Sequence, residues 1–528
     1  MSRPVAFRST AQGDLAEFNL SAAVLLTRSF SGAREPELYL VERSPDLRFF
    51  PGHWALAGGR LDPRDGEVQL GADSNRAGSD RQLVPFARCA ARELFEETGV
   101  LLNGLELDAS ERLELRHGLL ANHGRSEPAA LDRWFGLLDP EPGSLSALRP
   151  AFWTTTPDFT QRRYRALYLH LELPRGEEPT VVPGELSRGR WWRPSNLIAA
   201  WRSGELRVVP PLVALAELLE SSQGDLSVAL ERAETLSRAV DEGALHVVSP
   251  APGVHLAPVI TETLPPARTT NCYVVGEASR YVVDPAPVLE SERQRLIAHL
   301  ECERDALCGV LVTHHHPDHT GAVQAVAEHF GLPVYAHPRT LDRLPEAPTR
   351  PIPLEEGQQL ELGTAPDGST GWQLEVLHTP GHAQGHLCFR DSRYRTLIAG
   401  DLVATLSTIL VDPPEGHLAT YLAQLKRVRE LGVGVVLPSH GPAAPLGSEL
   451  LDRFLRHRAL REAVLVERLR GLGSATIDEL LPTVYDDVPE AAWPLARRNL
   501  VAGLDKLIED QQVTQGGGDQ PKFSLVED

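Results

Sequence analysis

Apolar positions fall along the chain in short extended runs and in stretches with helical spacing, the pattern of mixed α/β units. The runs Ala22–Leu26 and Leu38–Val41 flank a polar, glycine-containing turn and predict a hairpin. Helical spacing from Val84 to Thr98 stops at Gly99, a helix with its C-terminal glycine. From Leu212 to Val240 the spacing is helical again and breaks at Gly224-Asp225, predicting two helices that close a first domain. A proline-rich segment over 242–266 contains a linker and the first strands of a second domain, with Val254–Ile260 as a candidate strand. Thr270–Val275 and Tyr281–Asp284 predict a further hairpin, and Cys308–Val312 a strand followed by a helix over Ala322–Phe330. After Leu450 come an arginine-rich helix, a short helix over Ser474–Leu481 with Ser474 as its N-cap, a helix over Ala496–Asp510, and two short strands about a Gly-rich turn.

The stretch THHHPDHTG, Thr313 to Gly321, carries the densest chemistry. His314 and His316 alternate, so an extended backbone sends both imidazoles to one side, while Asp318 and His319 fall where the chain turns into the next helix. Imidazole nitrogens with a carboxylate suit zinc or a similar transition metal. Further candidates, His382 in HTPGH, Asp401 in LIAGD and His440 in VVLPSHG, each follow a strand-like run directly or within a few residues. From about Val247 to Pro442 the chain resembles the metallo-β-lactamase hydrolase superfamily, whose pattern is His-x-His-x-Asp-His followed by a lone His, Asp and His. The resemblance implies that His314, His316 and His382 hold one metal, that Asp318, His319 and His440 hold a second, and that Asp401 bridges them. Asp284 matches the family's first Asp, which supports the ligand loop. Two metals at roughly 3.5–4 Å can activate a shared water and stabilise both attacking and leaving oxygens, so the implied reaction is hydrolysis of an ester-like or phosphodiester bond, with Asp318 and Asp401 as its catalytic carboxylates. Among the remaining histidines, His315 should face away from the ligands, His337 is structural, and His378 hydrogen-bonds within the ligand loop. His386 is a candidate substrate contact.

Glu93, Glu96 and Glu97 are spaced to share one face of the predicted helix. Stacked like charges call for a cation, and hard carboxylate oxygens suit Mg²⁺ or Mn²⁺; an acidic solvated face is the alternative. RELFEETGV, Arg92 to Val100, resembles the second half of the Nudix box, G-x5-E-x7-R-E-U-x-E-E-x-G-U, and Gly58-Gly59 its opening. The resemblance makes Glu96 and Glu97 catalytic, and all three glutamates metal ligands, in cleavage of a nucleoside diphosphate linked to another moiety. Gly59 and Arg92 are 33 positions apart where the pattern has 14, so about 19 residues are inserted, placed near 62–82. The box's first Glu is left unassigned between Asp65 and Glu67, and Glu185 could approach the same site. RRYRALYLHLEL, GELSRGRWW and VVPPLVALAELL resemble the coenzyme A diphosphatase subfamily that carries such an insertion.

The terminal helices and hairpin resemble a winged helix, and this order of domains resembles the β-lactamase-like RNA endonucleases. Arg453, Arg456, Arg458, Arg461, Arg497 and Arg498 could then contact phosphates; a packing or dimerisation domain with solvated arginines is the alternative.

A chain of 528 residues exceeds one hydrophobic core. The expected division is a Nudix-like α/β/α sandwich over 1–240, a metallo-β-lactamase αββα sandwich over 241–448 and a winged-helix-like domain over 449–528, an α/β and α+β multidomain protein. Net charge of −20 argues against a large nucleic-acid-coating surface but allows a local patch. Five cysteines without a Cys-x-x-Cys pair argue against both a disulfide framework and a thiolate zinc site. No apolar run of membrane length appears, and MSRPVAFRST lacks a signal core, which places the protein in the cytoplasm without a membrane partner. The expected function is a bifunctional metal-dependent hydrolase with two Zn²⁺ and a separate Mg²⁺ or Mn²⁺ site. Its partners are a small-molecule diphosphate such as coenzyme A and, for the His/Asp site, single-stranded RNA. Two alternatives stand beside it: a thioesterase of the glyoxalase II type, and a Nudix half that senses a ligand without cleaving it.

Overall fold

Strand Phe18–Arg28 is apolar on both faces: Val24 and Leu26 enter one core with Leu94 and Trp134, while Leu25 enters another with Leu38 and Trp192. A strand buried on both sides needs a layer on each. Helix Asp80–Thr98 covers the first face, and helices Pro194–Arg202, Pro210–Ser221 and Leu226–Asp241 cover the second. The strand pairs antiparallel with Glu37–Arg43 and Ala57–Arg60 and runs parallel to Arg163–Glu172. Leu186–Trp192 extends the sheet beside Glu37–Arg43, and Arg149–Thr155 beside Arg163–Glu172. The break expected at Gly224-Asp225 is a helix start, with the Asp225 carboxylate accepting from the Val228 amide.

These elements belong to the first of two compact units, Met1–Pro252 and Gly253–Asp528, in a computed structural model that describes residues 18–30, 34–68, 80–120, 127–138, 142–159, 162–518 and 520–526. MSRPVAFRST and the 69–79 part of the expected insertion lie outside the described residues.

In the second unit two sheets supply strand ends to one place. The first runs Pro351–Pro353, Val334–Ala336, Leu307–Leu311, Arg280–Val283, Thr269–Val275 and Val254–Ile260. The second runs Gln359–Thr364, Thr370–His378, Leu387–Asp391, Leu397–Gly400 and Val436–Pro438. Leu307–Leu311 lies parallel to both neighbours, so its C-terminal end opens on the sheet edge where α/β proteins place ligand loops. Backbone bonds join the loops of the two sheets: the Leu387 amide donates to the Thr313 carbonyl and the Asn271 amide to the Ser439 carbonyl, each at 2.8 Å.

The terminal region comprises helices Gly447–Leu472, Ile477–Val484 and Trp493–Glu509 with the hairpin Val513–Gln515 and Phe523–Leu525, around a core of Leu469, Leu480, Leu500 and Phe523. Two details differ from expectation. Ser474 is not the N-cap: Thr476 and Glu479 form a capping box, the Glu479 carboxylate accepting from the Thr476 amide at 2.8 Å. The third helix starts before Ala496, with Pro494 in its first turn, where proline's fixed φ is already helical.

Candidate functional site

Loops leaving the strand ends carry the His and Asp candidates into three groups that could hold a metal ion: His314, His316 and His382; His314, His319 and Asp401; and Asp318, His319 and His440, each with ligand atoms within 4.8 Å of one another. His316 Nδ1 lies 2.9 Å from His314 Nε2 and 3.0 Å from His382 Nε2. Asp401 turns one oxygen to each side: Oδ2 is 3.5 Å from His382 Nε2, and Oδ1 is 3.4 Å from His440 Nε2 and 3.6 Å from His319 Nε2.

The far sides of four of the five rings are tied down. His382 Nδ1 donates to the Leu410 carbonyl at 2.7 Å, His440 Nδ1 to the Thr269 carbonyl at 3.1 Å, and His319 Nδ1 to the Asp284 carboxylate at 2.8 Å. His314 Nδ1 meets Thr313 Oγ1 at 3.0 Å, and that hydroxyl donates to Asp284. With Nδ1 protonated, a neutral ring so held presents an Nε2 lone pair to the centre. Asp284, as expected of a supporting acid, also accepts from the Thr313 amide at 2.8 Å. Its φ of 47° is a left-handed conformation that Asp tolerates better than most residues.

Burial, reinforced by neighbouring imidazoles, pushes the His314 and His382 pKa values well below the usual histidine range. His319 moves the other way: burial opposes its charge, yet Asp401, Asp318 and Asp284 outweigh it and push the ring up to about 10. Burial would raise Asp318, but His319 and His440 hold it below the usual carboxylate range. The centre therefore favours positive charge at a point surrounded by carboxylates and lone pairs.

The other histidines separate from this centre. His315 turns away, 3.7 Å from Glu415, while His337 stacks on His378 at 4.2 Å and His378 Nε2 donates to the Gln384 carbonyl at 3.0 Å. His386 does not offer itself to substrate: it is fully buried, its Nε2 accepts from the Asp401 amide at 2.9 Å, and its Nδ1 donates to Thr379 at 2.8 Å. A cysteine nucleophile is also absent from the described residues of this centre, and all five cysteines are free.

The glutamates occupy one helix face in the first unit. Arg92 enters that face, with Nη1 at 2.8 Å from Glu93 and 3.1 Å from Glu96. The same guanidinium clasps Asp65, which is 0% exposed, through Nη2 at 3.0 Å and Nε at 3.3 Å. Gly58 donates its amide to Glu97 at 3.0 Å, and a Cβ at Gly59 would meet the Glu93 carboxyl at 2.4 Å, so glycine lets strand and glutamate touch. Gly99 follows the helix at φ 72° as its C′ residue. Burial, with the neighbouring Glu93 charge, raises Glu96 to about 8, and burial raises Glu93 and Glu97 as well. Glu185 is exposed, and its charge adds to the rise at Glu93. Among the described residues, the groups of three His, Cys, Asp or Glu ligands drawn within 4.8 Å all lie in the His/Asp cluster, none at these glutamates.

The terminal arginines are largely engaged. Arg497 pairs with Asp478, Arg498 with Asp412 at 3.2 Å and Arg461 with Asp487 at 2.7 Å. Arg458 is buried and donates to the Ile409 carbonyl, which removes it from phosphate contact. Arg453 and Arg456 lie on the exposed side of helix Gly447–Leu472. Among the described residues no helix is long and apolar enough to cross a membrane.

Comparison with known proteins fits this geometry. Residues 265–440 match the metallo-beta-lactamase superfamily model, and residues 476–520 match the beta-lactamase associated winged helix domain. A lactamase-like protein nscB of Neosartorya fischeri is 30% identical over 273 residues, 48% of this chain and 77% of the relative. The atrochrysone carboxyl ACP thioesterase nsrC of Aspergillus novofumigatus is 28% identical over 289 residues, 52% of this chain and 80% of the relative. A solved NUDIX hydrolase from Alicyclobacillus acidocaldarius is similar at 23% identity and a TM-score of 0.32, covering 40% of this chain and 96% of that one. The chain is a mixed α/β multidomain hydrolase with a C-terminal winged helix, and it belongs to the metallo-β-lactamase superfamily.

Proposed function

We propose that the His/Asp centre holds two zinc-like ions and hydrolyses an acyl thioester. His314, His316 and His382 would hold one ion, Asp318, His319 and His440 the other, with Asp401 between them. The donor set fits such ions: His319 Nε2 and Asp401 Oδ1 are buried with no hydrogen-bond partner, a costly state for polar atoms unless a cation meets them. When bound, the metals supply Lewis-acid activation of water and of the scissile carbonyl. The chain contributes orientation and proton handling. Asp318, held ionised, keeps Oδ2 3.6 Å from His440 Nε2 as a place for a proton leaving water. Buried His386 fixes the Asp401 backbone, so the carboxylate keeps its two-sided aim.

The observation that carries the thioester over RNA is that Arg461, Arg497 and Arg498 pair with Asp487, Asp478 and Asp412 and that Arg458 is buried, which reduces the charge these four of the six candidates offer a phosphate backbone. A relative named as an acyl-carrier thioesterase supports the same choice. The winged-helix match favours RNA as the second reading. Turnover of an acyl thioester and of a short single-stranded RNA, at low and high salt, decides between them. Thioester cleavage insensitive to salt is expected; RNA cleavage with a steep salt slope overturns the choice.

For the first unit we propose a Nudix-type diphosphatase in which Glu93, Glu96 and Glu97 bind Mg²⁺ or Mn²⁺ and a compound such as coenzyme A is cut. Support comes from Asp65, six positions after Gly59, where the box pattern has its first Glu. Its ion pair with Arg92 spans the extra residues, which would lie between Asp65 and the helix. Ligand sensing without cleavage is the competing reading. Coenzyme A binding that survives E96Q/E97Q, with no turnover in the unaltered chain, would establish sensing.

A further inference from the structure

Between Asp401 and helix Leu418–Glu430 the chain has no regular secondary structure, yet Ile409 and Val411 are buried. Backbone groups in such a loop must find partners outside a helix or sheet. The Leu410 carbonyl takes the Nδ1 proton of His382 at 2.7 Å. Its neighbours are held by the terminal region: the Ile409 carbonyl accepts from Arg458 Nη2, and the Val411 amide donates to Asn499 Oδ1 at 3.3 Å. Asn499 Oδ1 also accepts from Arg458 Nη1 at 3.2 Å, so the two side chains form one clamp on either side of Leu410. Arg458 lies over the Tyr421 ring at 5.3 Å, and Tyr421 donates to the carbonyl of Leu402, next to Asp401, at 2.7 Å.

A buried guanidinium is costly unless its bonds are worth the desolvation. Among the described residues no carboxylate forms a salt bridge with Arg458; its acceptors are a carbonyl, an amide oxygen and a ring. A charge kept in such company contributes geometry rather than ion-pair energy. We infer that Asn499 and Arg458 are positioning residues for the metal centre, fixing the Ile409–Val411 backbone so that the Leu410 carbonyl aims His382. The winged-helix region is then a structural part of the hydrolase centre as well as an appendage. This rests on the reading that the His/Asp cluster binds metal.

The test uses the full chain, stripped and reloaded with Zn²⁺ or Co²⁺, with bound metal per chain and the cobalt absorption spectrum as readouts. Asn499→Leu removes the acceptor at nearly constant volume and should weaken one of the two metals about tenfold, the lower end for groups that orient a ligand, and alter the cobalt spectrum. Asn499→Asp, which still accepts from both donors, should restore both readouts. Arg458→Met is the second variant, for the case that Asn499→Leu does not fold, and should weaken the same metal. Leu480→Ala loosens the terminal core away from the clamp and should lower the unfolding temperature while leaving metal content unchanged. Wild-type occupancy and spectrum in Asn499→Leu or Arg458→Met, or equal metal loss in Leu480→Ala, would overturn the inference. Failure of the wild type to bind metal would instead remove the reading beneath it.

Discussion

The His/Asp cluster and the glutamate face both bury ionisable side chains, but they satisfy their charge differently. On the glutamate face a cation is built into the sequence: Arg92 sits between Glu93, Glu96 and Asp65. In the His/Asp cluster, among the described residues, no lysine or arginine pairs with Asp318 or Asp401, and the acids face imidazole nitrogens instead. The first arrangement carries a guanidinium that a metal must compete with; the second has only the His319 imidazole as its own positive charge and could hold a cation from outside. The lesson is that clustering of acids is weak evidence for a metal until the resident cations are counted.

The largest expected effect tests whether the two regions work separately. Asp401→Ala should lower thioester turnover by at least about 10³-fold and leave coenzyme A cleavage unchanged, both assayed on one preparation; a parallel fall in the second activity would mean the regions are coupled. Next comes the built-in cation. Asp65→Ala breaks one arm of a buried pair and should cost about 3 kcal/mol in denaturant unfolding of the first unit, equally with and without metal. A metal-dependent loss would show that Arg92 is not the resident cation. Glu97→Gln should cut coenzyme A cleavage about 10²-fold with thioester hydrolysis intact.

The smallest effect concerns protons. Burial and Glu93 raise Glu96 to about 8, so below that pH it holds a proton that Mg²⁺ must displace. Affinity should therefore climb about tenfold per pH unit or more as pH rises toward 8, because burial raises Glu93 and Glu97 as well. Burial keeps His314 and His382 neutral over the same range, but the carboxylates around His319 hold its proton up to about 10, so zinc binding should also climb with pH, through His319 rather than the other two rings. Calorimetric titration of each metal between pH 6 and 9 compares the two slopes.

The sequence made the His/Asp centre legible because each candidate sits at the end of its own apolar run, where strand periodicity and chain reversal fix its direction locally. His386 is close to His382 in sequence, which says nothing about depth; only the packed fold shows its ring under the Asp401 amide. Asp65 stayed ambiguous beside Glu67 for a related reason, since its partner Arg92 lies across a long insertion and the ion pair has no local signature. The terminal arginines were visible as charges, while the acids that pair with them come from other helices and loops. The Thr476 cap is readable in T-x-x-E, whereas Ser474 has no glutamate three residues on.

The parallel ladder at the middle of the first unit has a consequence for how the protein is made. Phe18–Arg28 finds that partner only at Arg163–Glu172, so during synthesis one edge of the strand stays unpaired until the ribosome has released residue 172. The helix bearing the glutamates emerges well before then. An open strand edge is where nascent chains pair with one another, so rapid translation at high expression should favour misassembly of this half, and slower synthesis or cooling should rescue it.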